Sequence, residues 1–278
     1  MDAATEIFRV WELPWGPTLT VTAFCLIYWR GWRAIRQTRA AQFPEWRLGC
    51  FLGGMAVLWV SIASPIDGFA DVLLSAHMVE HLLLMSAVPP LICLSAPIVP
   101  LLRGLPRVWV RRVLRPLFRT GLVHRLGHFF TLPVVAWLVF NLVFVLWHVP
   151  SAYDFALENE HVHDFEHLCF LGASLLFWWP VIEPWPARQG VMRWGVLPYL
   201  MTADLVNTAL SAVLAFCDRP VYTYYLTHPN PFGVAPLADQ QLGAVTMWVL
   251  GSVIFLVPVV VLTWRMMQPR RFGRASVV

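Results

Sequence analysis

Two six-residue segments repeat one pattern of metal-ligating side-chain types. His77-Met78-Val79-Glu80-His81-Leu82 and His163-Asp164-Phe165-Glu166-His167-Leu168 both read H-x-x-E-H-L. Residues four apart on a helix share a face, so each copy, placed on a helix, projects two imidazoles the same way. Glu80 and Glu166 can then hydrogen-bond the second nitrogen of a ligand histidine and fix its tautomer. On the first segment the stripe continues one turn further through Leu84 or Met85. Neutral imidazole suits zinc, copper and iron, and thioether adds a preference for copper(I). Met78 and Met85 flank the first pair, and Met247 follows Asp239-Gln240-Gln241 further along.

The elements that must carry these side chains read as membrane helices. The 278 residues are 58% hydrophobic and 13% charged, whereas a soluble domain carries roughly 25% charged residues. Lipid is therefore the expected outer solvent. Fifteen tryptophans and 22 prolines agree, because Trp gathers at membrane interfaces and Pro is tolerated in packed membrane helices. The net charge of +4 comes entirely from arginine, in short clusters beside apolar runs. That is a topology signal and not a nucleic-acid footprint. Five cysteines stand singly in apolar stretches with no CxxC, so neither a disulfide framework nor a thiolate metal site is indicated. No cleaved signal peptide pattern opens the chain, and the first helix is expected to direct insertion.

Apolar runs near 17–33, 46–64, 76–102, 131–149, 165–183, 195–217 and 238–264 predict an all-α, polytopic bundle of about seven transmembrane helices, a single domain over 1–278. Pro89-Pro90 should kink or split the third run near its middle. Arg30, Arg33, Arg36, Arg39 and Arg47 fall after the first run. Arg103, Arg107, Arg111, Arg112, Arg115, Arg119 and Arg125 fall after the third, Arg188 and Arg193 after the fifth, and Arg265, Arg270, Arg271 and Arg274 after the seventh. Eighteen of the twenty arginines thus share one side, leaving Arg9 and Arg219 on the other. Asp67, Asp71, Asp154, Glu158, Glu160, Asp164, Asp218 and Asp239 cluster in the alternate loops. The positive-inside rule then places the N-terminus outside and the C-terminus in the cytoplasm of a multi-pass membrane protein.

With that topology His124 and His128 are interfacial and His228 is an ordinary loop residue, while His77, His81, His148, His163 and His167 converge at the outer face on three helices. One histidine near the headgroups needs no special account. Five at one depth do, since buried imidazoles are costly unless each finds a partner and ionisable groups inside membranes are functional by default. A metal satisfies such a cluster. An oxidising outer compartment favours His and Met ligands over thiolates, so copper is expected before zinc. The expected ligands are His77, His81, His148, His163 and His167, with Met78 and Met85. Glu80, Glu166, Asp239, Met247 and Asp204 are expected to support them. Asp204, Asn207 and Ser211 form a deeper polar stripe, and Asn141 lies near the face of His148. A mid-membrane carboxylate costs about 2.5–3.5 kcal/mol on insertion scales, so Asp204 should face the bundle interior, for interhelical hydrogen bonding or as part of an ion or proton route.

The segments HMVEHLLLMSAVPPLICLSAP (77–97), LWHVPSAYDFALENEHVHDFEHLCFL (146–171) and the ADQQLG–MW stretch (238–248) resemble the CtaG-type cytochrome oxidase assembly factors of bacterial cytoplasmic membranes. The resemblance spans most of the chain. It implies help in maturing a haem-copper oxidase by supplying copper to the copper-B centre of its catalytic subunit, with the family's histidine motifs falling on His77, His81, His148, His163 and His167. Partners would then be that subunit and the lipid bilayer, with no nucleic acid and no catalytic turnover. The rival readings are a copper transporter or tolerance protein, a membrane zinc metallohydrolase using H-x-x-E-H as an inverted protease motif, and a bis-histidine haem protein.

Overall fold

The structure, a computed structural model, describes residues 11–116, 120–184, 194–228 and 230–268. Arg9, Arg119, Arg188, Arg193, Arg270, Arg271 and Arg274 lie outside them, and the side chains of His124 and Arg265 are likewise not described. Among the described residues there is no strand. The principal helices are α1 (Trp15–Arg39), α2 (Glu45–Ala63), α3 (Pro65–Ala70), α4 (Leu74–Leu94), α5 (Ile98–Gly104), α6 (Gly121–Phe130), α7 (Pro133–Trp147), α8 (Pro150–Glu158), α9 (Glu160–Ile182), α10 (Val196–Ala215), α11 (Tyr224–Thr227) and α12 (Pro236–Met267). Proline opens α3, α7, α8 and α12, where its missing N–H costs nothing and its fixed φ suits the helix.

Among the described residues, five helices are long and apolar enough to cross a membrane: α2, α4, α9, α10 and α12. The count becomes six if α6 and α7, bent by 71°, form one broken span. The two expected spans outside this set are instructive. α1 has the length at 25 residues, but its Trp, Thr and Arg residues dilute its apolar content. α7 has the composition but only 15 residues, short of the roughly 20 that a bilayer core demands.

The expected third run, 76–102, is two helices. α4 ends at Leu94, and Ala96 turns the chain through a left-handed φ of 51° before α5 begins. Pro89-Pro90 does not break α4. The helix instead loosens into a π turn at Leu83–Ala87, just before the prolines. The carbonyl of Met85 faces two prolines at its fourth and fifth following positions, neither with an N–H to give. Trp178 of α9 supplies the donor, its Nε1 lying 3.1 Å from that oxygen. A tertiary contact thus keeps the helix continuous where local rules predict a break.

α4 is the centre of the bundle, packed on α2, α3, α9 and α12, and half of its apolar window is buried, the largest share among the five spans. α12 pairs with α10 and α7 with α9. The main core runs through Met78, Met85, Phe140, Phe144, Phe170, Phe177, Trp178 and Phe255. A second cluster of Tyr28, Trp32, Ile35, Phe51 and Met55 fixes α1 to α2. Gly31 and Gly104 let α1 and α5 touch backbone to backbone: a Cβ on either would collide with the carbonyl of Pro100 or Ile27.

The deeper polar groups are joined between helices. Asp204 is half-buried and accepts from Ser252 Oγ at 2.9 Å, and Asn207 Nδ2 donates to the Met247 carbonyl at 3.2 Å. Both contacts tie α10 to α12, the first of the two roles expected of that stripe. Asn141 donates within α7, to Trp137 at 2.8 Å.

Candidate metal centre

α4 and α9 present their motifs in the same register. His77 is the fourth residue of α4 and His163 the fourth of α9. Both N-termini are capped, by different means. Asn159 caps α9 locally, its side chain accepting from Val162 N at 3.3 Å. α4 has no side-chain cap of its own. Asp239, from the first turn of α12, takes over: it accepts from Leu74 N at 2.6 Å, Ser75 N at 3.2 Å and Ser75 Oγ at 2.5 Å. A carboxylate there also suits the positive end of the helix dipole. Asp239 therefore fixes the first turn of the helix that carries His77 and His81. Its neighbour Gln240 accepts from Val221 N at 2.7 Å and donates to the Leu214 carbonyl at 3.1 Å, holding the loop that covers the site.

These caps bring the two motifs face to face. One ligand atom from each of His77, His81, His163 and Glu166 lies within 4.8 Å of every other. The ring centroids of His77 and His81 are 4.1 Å apart, those of His77 and His163 5.2 Å, and those of His163 and His167 4.2 Å. The glutamates pair across the copies. His81 Nε2 lies 3.8 Å from Glu166 Oε1, and His167 Nε2 lies 3.5 Å from Glu80 Oε1. His77 and Glu80 are fully buried, Glu166 is 1% exposed and His167 9%, while His163 is half-buried at the mouth.

Among the described residues, no hydrogen bond satisfies these groups. Both nitrogens of His77 and of His81, both oxygens of Glu80 and of Glu166, and Nε2 of His163 and His167 are buried without a partner. Buried polar atoms are paired in the great majority of cases, and each exception needs a reason. A bound cation is a sufficient one, and imidazole with carboxylate is a donor set for zinc, copper or iron.

The remaining predicted residues lie outside this group. His148 closes α7 and donates from Nδ1 to the Phe144 carbonyl at 2.7 Å, which leaves the lone pair on Nε2, an atom that is buried and unpartnered. It lies outside the four-residue group and shares Phe170 with His81, at centroid distances of 6.3 and 4.5 Å. Met78 packs toward Gly243 of α12. Met85 lines a small cavity with Leu82, Phe140 and Phe144. Met247 is buried in the same core, and Asp204 is engaged with Ser252 as described. His161, His128 and His228 are exposed, and His228 Nδ1 turns back to the Tyr224 carbonyl at 3.1 Å.

A tyrosine lid went unread in the sequence. Tyr153 lies 5.2 Å from His77 and 4.0 Å from Tyr222 between ring centroids, and its hydroxyl is 3.3 Å from that of Tyr225. Tyr225 donates to the Ala70 carbonyl at 3.2 Å. Asp154 holds the covering loop by accepting from Thr223 N, Thr223 Oγ1 and Tyr224 N. The Tyr-Thr-Tyr-Tyr run at 222–225 was the available signal. Outside the lid, Asp67 and Asp71 stand near Glu160 and Asp164. Burial first, then Asp71, Asp164 and Glu160, push the Asp67 carboxyl up to about 7. Burial raises Asp71 as well, opposed by His163.

A family model described as cytochrome c oxidase caa3 assembly factor (Caa3_CtaG) matches residues 26–269. Among curated proteins, an uncharacterised protein of Mycobacterium bovis and one of Mycobacterium tuberculosis are each 26% identical over 96% of this chain and 43% of their own length. An uncharacterised protein of Mycobacterium leprae is 24% identical over 88% of the chain and 40% of its own. The chain thus spans about two-fifths of the length of these relatives. No solved structure matches it significantly.

Proposed function

Because the chain belongs to the cytochrome c oxidase caa3 assembly factor family, we propose that it binds copper at the histidine–carboxylate cluster and supplies it to the copper-B centre of a haem-copper oxidase. In this reading α1 and α7 also span the bilayer, giving seven helices in the bacterial cytoplasmic membrane. The N-terminus is outside, and the arginine clusters are cytoplasmic. Copper is cargo here, and the protein performs no turnover of its own: each motif glutamate faces a histidine of the other copy, not a position reserved for an attacking water.

The observation that carries the reading is the set of buried imidazole nitrogens and carboxylate oxygens with no hydrogen-bond partner. Copper arriving from outside meets Asp71 and Asp164 beside half-buried His163, whose negative charge concentrates cations at the mouth. His163 then joins His77, His81 and Glu166 in holding the ion, and the oxidase withdraws copper by ligand exchange.

Metal content and absorption spectra of detergent-purified protein after copper loading test the proposal, in wild type and in the His81→Ala/His167→Ala double variant. Copper retained by the wild type and lost from the variant is the expected result. Wild-type protein without copper overturns it, and a Soret band or stoichiometric zinc transfers the site to a different function.

A further inference from the structure

Building on the copper reading above, we infer that the cluster holds two ions per chain, the second between Glu80 and His167. The argument starts from two distances. His81 Nε2–Glu166 Oε1 is 3.8 Å and His167 Nε2–Glu80 Oε1 is 3.5 Å, both beyond the 2.7–3.2 Å of an N–H···O hydrogen bond. Two ligands held at 2.0–2.2 Å by one tetrahedral ion stand roughly 3.3–3.6 Å apart. Each histidine–glutamate pair is therefore spaced close to two ligands of a shared ion and is too wide for a hydrogen-bonded couple.

One ion cannot account for both pairs. An ion among His77, His81, His163 and Glu166 takes one donor from each of four residues and completes a tetrahedral shell. Both oxygens of Glu80 and Nε2 of His167 then remain buried without a partner. Charge points the same way. The cluster contains two buried carboxylates, Glu80 and Glu166, which ligate a metal as anions, whereas histidine ligates as the neutral imidazole. Two monovalent ions balance them, whereas two divalent ions leave two uncompensated charges in a desolvated site. Copper(I) is the monovalent ion of this chemistry.

The two positions differ in how tightly they hold. The first has four protein ligands. The second has Glu80 and His167 alone. The second ion is the one more readily released, and so the one delivered.

Anaerobic titration of the full chain in detergent with copper(I), followed by desalting and metal analysis, tests this. Wild type is expected to bind two equivalents, in a tight and a weaker phase. Glu80→Gln, which preserves side-chain volume, is expected to bind one, retaining the tight phase. Glu166→Gln is expected to weaken the tight phase at least 10-fold, with an unchanged circular dichroism spectrum confirming that both variants fold. One equivalent in wild type, or two in folded Glu80→Gln, overturns the second site and leaves the one-ion reading standing. No copper in wild type overturns both.

Discussion

Replacing Asp239 with alanine removes the cap of α4 while leaving every imidazole in place. In the intact protein its carboxylate accepts from two backbone N–H groups and one hydroxyl at the first turn of the helix. A cap is worth about 0.5–2 kcal/mol, and a buried donor left unsatisfied costs about 1–3 kcal/mol. Leu74 N is buried, Ser75 is half-buried and can recruit water, so the loss should total about 2–4 kcal/mol. For a chain of this size that lowers the melting midpoint by roughly 4–12 °C. Asp239→Asn keeps one acceptor oxygen and should lose about half as much. Thermal unfolding in detergent, followed by circular dichroism, reads the change, and copper titration of the same samples reads the site. Copper affinity should fall with stability and recover partly in Asp239→Asn. The capping argument is refuted by an alanine variant that melts like wild type yet has lost its copper, because Asp239 would then be acting on the ion and not on the helix.

Two further expectations follow from the fold. The Asp67 carboxyl, near 3.8 in an unfolded chain and pushed up to about 7 here, favours the folded state when protonated. Its contribution is complete below pH ~4 and is lost as the pH rises through 7. Asp67→Asn should accordingly raise the melting midpoint at pH 8 by roughly 2–5 °C while changing little at pH 4, and a variant gain of equal size at both pH values would contradict the assignment. Trp178→Phe removes the donor to the Met85 carbonyl, exposing the gap left by Pro89 and Pro90 at a cost of about 1–3 kcal/mol. Thermal unfolding should show that loss with copper stoichiometry unchanged, and a melting midpoint equal to wild type would mean that another donor serves the carbonyl.

What could be read from the sequence was what depends on local spacing. The i, i+4 rule placed His77 with His81 and His163 with His167, and these pairs do share faces and do meet. Burial of His148 on a third helix also followed, since an imidazole at the end of an apolar run has only a partner or the interior to turn to. What depends on how helices are rotated against one another could not be read. Glu80 was expected to serve a ligand histidine without any indication of which one, and only the packing of α4 on α9 shows that it addresses His167. Asp239 was expected to support the metal ligands, and the group it binds, the first turn of α4, lies 165 residues away in the chain. The proline pair misled for the same reason: Pro89 and Pro90 remove two donors locally, and the replacement donor comes from α9. Methionine was ambiguous on chemistry alone, because a thioether fills a core as readily as it binds copper.

The crossing of the glutamates follows from the repeat itself. Two copies of one motif, entering at the same register of two packed helices, are related by an approximate two-fold operation. Under such an operation any contact from residue i to residue j implies one from j to i, as in symmetric dimers. If Glu80 faces His167, Glu166 must face His81, and it does. The asymmetry lies outside the motif. α4 is central, capped from a distant helix, and its His77 is fully buried. α9 is capped by its own Asn159, and its His163 stands half-buried beside the acidic mouth. A symmetric ligand set in an asymmetric frame has an inner and an outer end. On the proposed copper reading, that polarity would give the ion a direction of travel, in by half-buried His163 and onto the more deeply buried His77 and His81 of α4.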